Sequence, residues 1–204
     1  MMNNVICSKY GITLRKWNDD DIQGYATLAS DEENMKFISS GQARTIDIIK
    51  GEVEGFRQNQ EQKGWARWVV SQGVNAPFMG YAGFEEKQFG INFGMRYLPK
   101  YWGTPWTYLA GHTALCWAFD VLGFTSVYTL TNIKHTRAIQ MNLKYLNLDR
   151  EQCRVVSTPF GDHLKIDYDR DNFFRVRDKN ESTAQKLYQY IQKQETRETV
   201  HAKY

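Results

Sequence analysis

The sequence has little cysteine and little proline, and neither is placed to organise the chain. Three cysteines, Cys7, Cys116 and Cys153, form an odd and scattered set. They show neither metal-ligand spacing nor a disulfide framework, so no metal is expected. Cys116 lies in an apolar helical stretch and reads as a small core residue. Four prolines leave no Pro-rich linker. No run approaches the roughly 18 apolar residues of a membrane helix. There is no internal repeat and no low-complexity tract. An excess of one charge is also missing: 26 Lys+Arg against 23 Asp+Glu give a net charge of +3, mixed throughout. Without a basic block or face, neither a nucleic-acid nor a membrane partner is expected. The start, Met-Met-Asn-Asn-Val-Ile-Cys-Ser-Lys, lacks the basic and then apolar regions of a signal peptide, which makes a cytoplasmic location the expectation.

What the chain does have is apolar and aromatic material, 42% and 14% over 204 residues. That suffices for one domain with a real core. Elements alternate in type, which predicts a mixed α/β layered fold. Residues 11–16 read as a first strand. Asn18 with Asp21 predicts a variant capping box opening a helix over 19–30. Thr45 caps a second helix over 45–62, whose Ile49, Val53 and Phe56 follow helical spacing. Gly51 and Gly55 inside it mark a close packing contact or a bend. Runs at 65–71, 78–84 and 90–98 form an antiparallel meander, with the last two joined by a polar turn at 85–88. A helix over 105–122 stops near Gly123. A buried strand at 125–131, a helix at 133–146 and a hairpin of 154–157 with 163–168 follow. Residues 181–195 form a last helix with Ala184, Leu187, Tyr188 and Ile191 on one side. The expected division is one domain over 1–176 and a helical extension over 177–204. That extension packs on the domain or serves an oligomer contact, so the chain is a monomer or a homodimer.

The most informative stretch is 94–111, Gly-Met-Arg-Tyr-Leu-Pro-Lys-Tyr-Trp-Gly-Thr-Pro-Trp-Thr-Tyr-Leu-Ala-Gly. A strand runs into a tight loop at Trp102-Gly103, and a helix opens after Thr104. Backbone N–H groups at such a helix start point outward with the positive dipole end behind them, an arrangement that binds phosphate. Thr104 is a good cap, and Pro105 suits the first helical turn. The plain alternative is that Thr-Pro only starts a helix.

The element order and several local matches resemble the GNAT superfamily of N-acetyltransferases, especially its ribosomal-protein N-terminal acetyltransferase branch. Leu14-Arg15 with Asp21 resembles the branch's opening. Ser30-Asp31-Glu32-Glu33-Asn34-Met35-Lys36-Phe37-Ile38 resembles its Ser-Asp-Pro-Glu-Val-Met-Arg-Tyr-Leu. Trp65 to Trp68 and Gly80-Tyr81-Ala82-Gly83-Phe84 resemble its second and third strands. Phe93 through Gly103 resembles its Ile-Gly-Tyr … Pro-Glu-Tyr-Trp-Gly. The resemblance covers about 11–148, more weakly to 176. It implies a largely antiparallel central sheet flanked by helices, here with an extra C-terminal helix, and acetyl-CoA as acyl donor.

The resemblance also assigns candidate residues. The pyrophosphate loop falls on Trp102, Gly103, Thr104, Trp106, Thr107 and Tyr108. The family's Arg/Gln-x-x-Gly-x-Gly/Ala is degenerate here, with Trp102, Pro105 and Thr107 at its named positions. Pro105 has no N–H to offer a phosphate. Backbone groups of Met95, Arg96, Tyr97 and Leu98 would pair with the pantetheine amides. Asn132 matches a pantetheine-contacting Asn, or is simply a strand-end turn residue. Arg137 lies on the helix that follows. The amine must lose a proton to a base or an ordered water. Asn92 stands where the branch carries a Glu, and Leu109 where it carries another. Glu85 and Glu86 are the nearest carboxylates, or only solvated turn residues. Tyr145 is the nearest phenol, or packs. His112 and His135 are bases by type, and His112 reads better as a packing residue. The implied function is acetyl transfer to a primary amine, of a protein N-terminus or a small molecule. The alternative is a non-catalytic module of the same fold that binds CoA or a protein partner.

Overall fold

The computed structural model describes residues 4–201. Its chain order begins with β1 (Val5–Lys9), β2 (Ile12–Arg15), α1 (Asp21–Ala29), α2 (Glu32–Met35) and α3 (Ile46–Lys63). The meander β3 (Arg67–Ser71), β4 (Gly80–Lys87) and β5 (Gly90–Tyr97) comes next. Then follow α4 (Pro105–Cys116), β6 (Ser126–Asn132), α5 (Thr136–Leu146), β7 (Arg154–Thr158), β8 (Gly161–Asp169) and α6 (Arg170–His201). Eight strands make one sheet in the order β1-β2-β3-β4-β5-β6-β8-β7. Every neighbouring pair is antiparallel except β5 with β6. A parallel pair needs a crossover, and α4 supplies it.

Two of the three predicted caps form, at Asn18 and Thr45, and Thr104 does not cap with its side chain. Asn18 N–H donates to Asp21 Oδ2 at 2.9 Å, and Asp21 N–H returns to Asn18 Oδ1 at 3.1 Å. Thr45 Oγ1 accepts from the Ile48 amide at 3.4 Å. The register of β4 and β5 sets the two faces of the sheet, because side chains alternate with period two. Tyr81 on β4 packs with Trp17, Tyr25 and Phe56 on the α1–α3 side. Phe93 and Met95 on β5 face α4, where a Cβ on Gly111 would lie 3.1 Å from Met95 Sδ.

Several element-level expectations are corrected. β1 precedes the expected first strand and joins it through the two-residue turn Tyr10-Gly11, both at positive φ (54° and 72°), the signature of a type I′ hairpin. α2 is capped by Asp31, whose side chain accepts from the Asn34 amide. Gly51 and Gly55 mark no packing contact, since a Cβ on either meets nothing within 4 Å. Residues 85–87 are not a turn: β4 runs on to Lys87, which pairs with Gly90. α4 ends at Cys116 and passes into a π-helical turn, Trp117–Val121. The last helix starts at Arg170, directly out of β8, and packs on α4, α5 and β8.

Candidate active site

β5 and β6 pair in parallel at Asn92 and Tyr128, and among the described residues that is their one ladder position. From Gly94 the strands part. β5 keeps β4 on its other edge as far as Tyr97, while β6 pairs with β8 along its whole length. Backbone groups of residues 94–97 that face β6 therefore have no strand partner there. Unpaired strand edges accept an extended ligand by backbone hydrogen bonds.

The loop after β5 is tightly wound. The Trp102 indole N–H donates to the Tyr97 carbonyl at 2.7 Å, and the ring is half-exposed. Gly103 has φ 70° and open space around its α-carbon, so glycine is needed there for conformation. Thr104 sits at the N-cap of α4 but does not cap with its side chain. Its hydroxyl turns back to donate to the Tyr101 carbonyl at 2.7 Å. Among the described residues the first-turn amides of α4 are thus left without a side-chain acceptor, and Pro105 contributes none. The side chains around them are engaged elsewhere. Trp106 lies against Gly11. The Thr107 hydroxyl donates to the Thr104 carbonyl at 3.1 Å, and the Tyr108 hydroxyl donates to Asn180 Oδ1 at 3.0 Å. Leu98 N–H donates to the Met79 carbonyl at 3.0 Å.

At the point where the strands part, Asn92 is held by both ends. Its Oδ1 accepts from Arg67 Nη2 at 2.9 Å, and its Nδ2 donates to the Tyr128 carbonyl at 3.3 Å. Arg67 also donates to the Tyr81 hydroxyl at 3.0 Å and pairs with Glu85 at 3.2 Å. Its guanidinium lies against Gly94, where a Cβ would come within 2.9 Å of Cζ. Glu85 has a second cation in Lys87 at 2.5 Å. Glu86 points to the other face, pairs with Lys63 at 2.8 Å and is solvated. Lys63 holds the Glu86 carboxyl below its usual range by hydrogen bond and charge.

The network extends under the sheet. Arg96 Nη2 donates to Met35 Sδ at 2.8 Å, and its Nη1 is buried without a partner among the described residues. Tyr25 donates to Glu52 at 2.7 Å, and Arg44 pairs with the same carboxylate. Burial pushes the Tyr81 phenol up, but the guanidiniums of Arg67, Arg96 and Arg44 outweigh it and bring it below the ordinary value. Burial likewise opposes the charge on Arg67, and Tyr81 and Glu85 more than restore it.

The other candidates lie apart from this cluster. Asn132 ends β6, and its Oδ1 accepts from the Lys134 amide at 3.0 Å, a local turn bond. Arg137 is exposed in the first turn of α5. Tyr145 is buried where α4, α5 and α6 meet, its hydroxyl 2.8 Å from His112 Nδ1. Burial raises that phenol well above its ordinary value. His135 stacks on Phe37 at 4.6 Å between ring centroids.

The family model described as acetyltransferase (GNAT) domain matches residues 12–145. The chain belongs to the GNAT acetyltransferase family. Solved GNAT structures share its fold. An acetyltransferase (GNAT family) from Bacillus anthracis superposes with a TM-score of 0.66 at 16% identity, over 82% of this chain and 99% of that one. Spermidine N-acetyltransferase from Vibrio cholerae, in complex with CoA and spermine, gives 0.61 at 14%, over 81% and 99%. AAC(6')-Ib in complex with ribostamycin and coenzyme A gives 0.62 at 15%, over 81% and 97%. No helix among the described residues is long and apolar enough to cross a membrane.

In this GNAT chain the sequence pattern did not show that Arg67 and Tyr81 join the cluster around Asn92 and Glu85. Each sits in a β-rich run, and only for Arg67 was there a signal, its charge inside that run. Only the register Arg67↔Gly83, Tyr81↔Arg96 and Glu85↔Asn92 reveals that they share one face.

Proposed function

We propose that this protein transfers the acetyl group of acetyl-CoA to a primary amine by direct attack in a ternary complex. The observation that carries the reading is the parting of β5 and β6 after Asn92–Tyr128, just ahead of the uncapped start of α4, in a chain of the GNAT family. In this reading the stretch Met95 to Leu98 holds the pantetheine arm through those of its backbone groups that are not already engaged, the Leu98 N–H being taken by the Met79 carbonyl and the Tyr97 carbonyl by the Trp102 indole. The amides of Trp106, Thr107 and Tyr108 face the pyrophosphate in a loop weakened by Pro105. Asn132 and Arg137 flank the arm from the β6 side.

Asn92 cannot take a proton. It acts by fixing the Tyr128 carbonyl at the apex, with Arg67 fixing Asn92. Glu85 is the carboxylate of that cluster and accepts the amine's proton through a water. Glu86, on the opposite face, has no part in this step, and Tyr145 serves the packing of α4, α5 and α6. Orientation supplies much of the rate, since holding two reactants in place is worth several kcal/mol.

The branch resemblance favours a protein N-terminus as acceptor. The spermine and ribostamycin bound by two structural neighbours favour a small-molecule amine. One experiment separates catalysis from mere binding. Thermal shift with acetyl-CoA and with CoA reads binding through mass action, and free-thiol release over a panel of peptides and polyamines reads turnover. Stabilisation with thiol release supports the transferase. Stabilisation without release supports a binding module, for which the engaged amide of Asn92 in place of a carboxylate is the favouring observation. No shift at millimolar acetyl-CoA overturns both.

A further inference from the structure

Away from the parting strands, α4, α5 and α6 converge on one imidazole. His112 is fully buried. Its Nδ1 lies 2.8 Å from the Tyr145 hydroxyl, and its Nε2 lies 2.9 Å from Glu181 Oε2. One helical turn on, Cys116 Sγ lies 3.6 Å from the same Nε2. Donor atoms of the three residues fall within 4.8 Å of one another. The second carboxylate oxygen, Glu181 Oε1, accepts from Lys9 Nζ at 2.6 Å and from the Tyr10 hydroxyl. Tyr10 is presented there from the positive-φ turn, a conformation uncommon outside glycine.

We propose that His112 Nε2, Cys116 Sγ and Glu181 Oε2 bind a zinc(II) ion, with water as the fourth ligand. The donor set of one imidazole, one thiolate and one carboxylate suits zinc better than the harder divalent cations. A tetrahedral site with zinc bonds of about 2.0–2.3 Å has ligand–ligand edges of about 3.3–3.6 Å. The Nε2–Sγ separation is 3.6 Å, within that range, although the sulfur does not yet lie beyond Nε2. The Nε2–Oε2 edge, 2.9 Å while a proton is shared, has to open by about 0.4 Å to the tetrahedral value. Sγ now lies almost equidistant from both ring nitrogens, at 3.6 and 3.8 Å, so loading also requires Cys116 to rotate about Cα–Cβ.

The surroundings fit that role. When the ion occupies Nε2, the imidazole proton moves to Nδ1 and donates to the Tyr145 oxygen. Such an outer partner fixes tautomer and ring orientation. Lys9 and Tyr10 hold Oε1 and leave Oε2 to the metal. Burial pushes the Cys116 thiol up to about 11, so the ion itself must provide the charge that stabilises the thiolate. Binding therefore releases one proton, the thiol's, and forms the Zn–S, Zn–N and Zn–O bonds. Entry is open on the Glu181 side, where the carboxylate side chain is 28% exposed. The loaded site ties α4 to α6 and is independent of the acyl-transfer reading.

The full chain titrated with cobalt(II) tests this. One equivalent is expected to give the intense visible bands of four-coordinate cobalt and a near-ultraviolet thiolate-to-cobalt band. Zinc(II) should displace it and raise the Tm. Cys116→Ser should remove the thiolate band, while Cys7→Ser and Cys153→Ser retain it. Tyr145→Phe should weaken binding about 10–100-fold. Absence of the thiolate band in the wild-type chain, or its survival in Cys116→Ser, overturns the site.

Discussion

The guanidinium of Arg67 lies across the α-carbon of Gly94, close enough that a Cβ there would come within 2.9 Å of Cζ. A free arginine would swing aside at little cost. This one is tied to Tyr81, Asn92 and Glu85. Gly94→Ala is expected to lower stability by about 1–3 kcal/mol as the guanidinium is displaced. Gly83→Ala should cost more, because its Cβ would meet the Ala66 carbonyl oxygen at 2.3 Å from a φ of 148°. Urea unfolding of the two variants checks the order, and equal midpoints would contradict it.

Arg67→Met removes one partner from a largely buried ion pair and leaves Asn92 free to turn. Glu85 keeps Lys87, so the cost is that of leaving the Tyr81 hydroxyl and Asn92 Oδ1 without their donor, about 1–3 kcal/mol. If Asn92 orients the apex, kcat should fall further in Arg67→Met than in a stability-matched core variant. Thiol-release kinetics on both variants decide between a positioning role and a merely structural one.

Pro105→Gly restores an amide at the start of α4. One charge-assisted hydrogen bond to a phosphate oxygen is worth about 1.5–3 kcal/mol. Acetyl-CoA should therefore bind roughly tenfold more tightly or better, as read by calorimetry. Unchanged or weaker binding would mean that the loop does not hold the pyrophosphate.

Tyr81 should ionise below the ordinary tyrosine value. Burial opposes its phenolate, but three guanidiniums favour it and lower the folded value below 10.0. Burial raises Tyr97 and Tyr168 far above theirs. A depressed folded pKa contributes stability that is fully present above the unfolded value near 10 and is lost as pH falls through the folded one. An ultraviolet titration should show one early phenolate that vanishes in Tyr81→Phe. Coincident titration of all accessible tyrosines with no early step would contradict this.

Much of the fold was readable in the residues. Hydrophobic spacing, the Asn18–Asp21 exchange, the Thr45 cap and the strand–loop–helix run around Trp102-Gly103 are local features, and local physical chemistry specifies them. The misses were of two kinds. β1 and the Tyr10-Gly11 turn were hidden because a short strand with a non-glycine residue at positive φ leaves a weak pattern. The first turns of α6 were hidden because residues 170–180 carry mixed charge, and only packing on α4 and β8 makes them helix.

The site divided along the same line. By itself, the sequence determined the strand that parts, the loop with its proline and the carboxylates near it, because each belongs to a contiguous stretch. Only the tertiary structure decided which of them meet. Strand register turned Glu85 toward Arg67 and Glu86 toward solvent. It likewise brought Arg67, Tyr81 and Asn92 onto one face. The packing of α6 on α4 set Glu181 beside His112, 69 residues away in the chain. Contacts across such separations depend on how the sheet and helices stack, which no local window of the chain encodes.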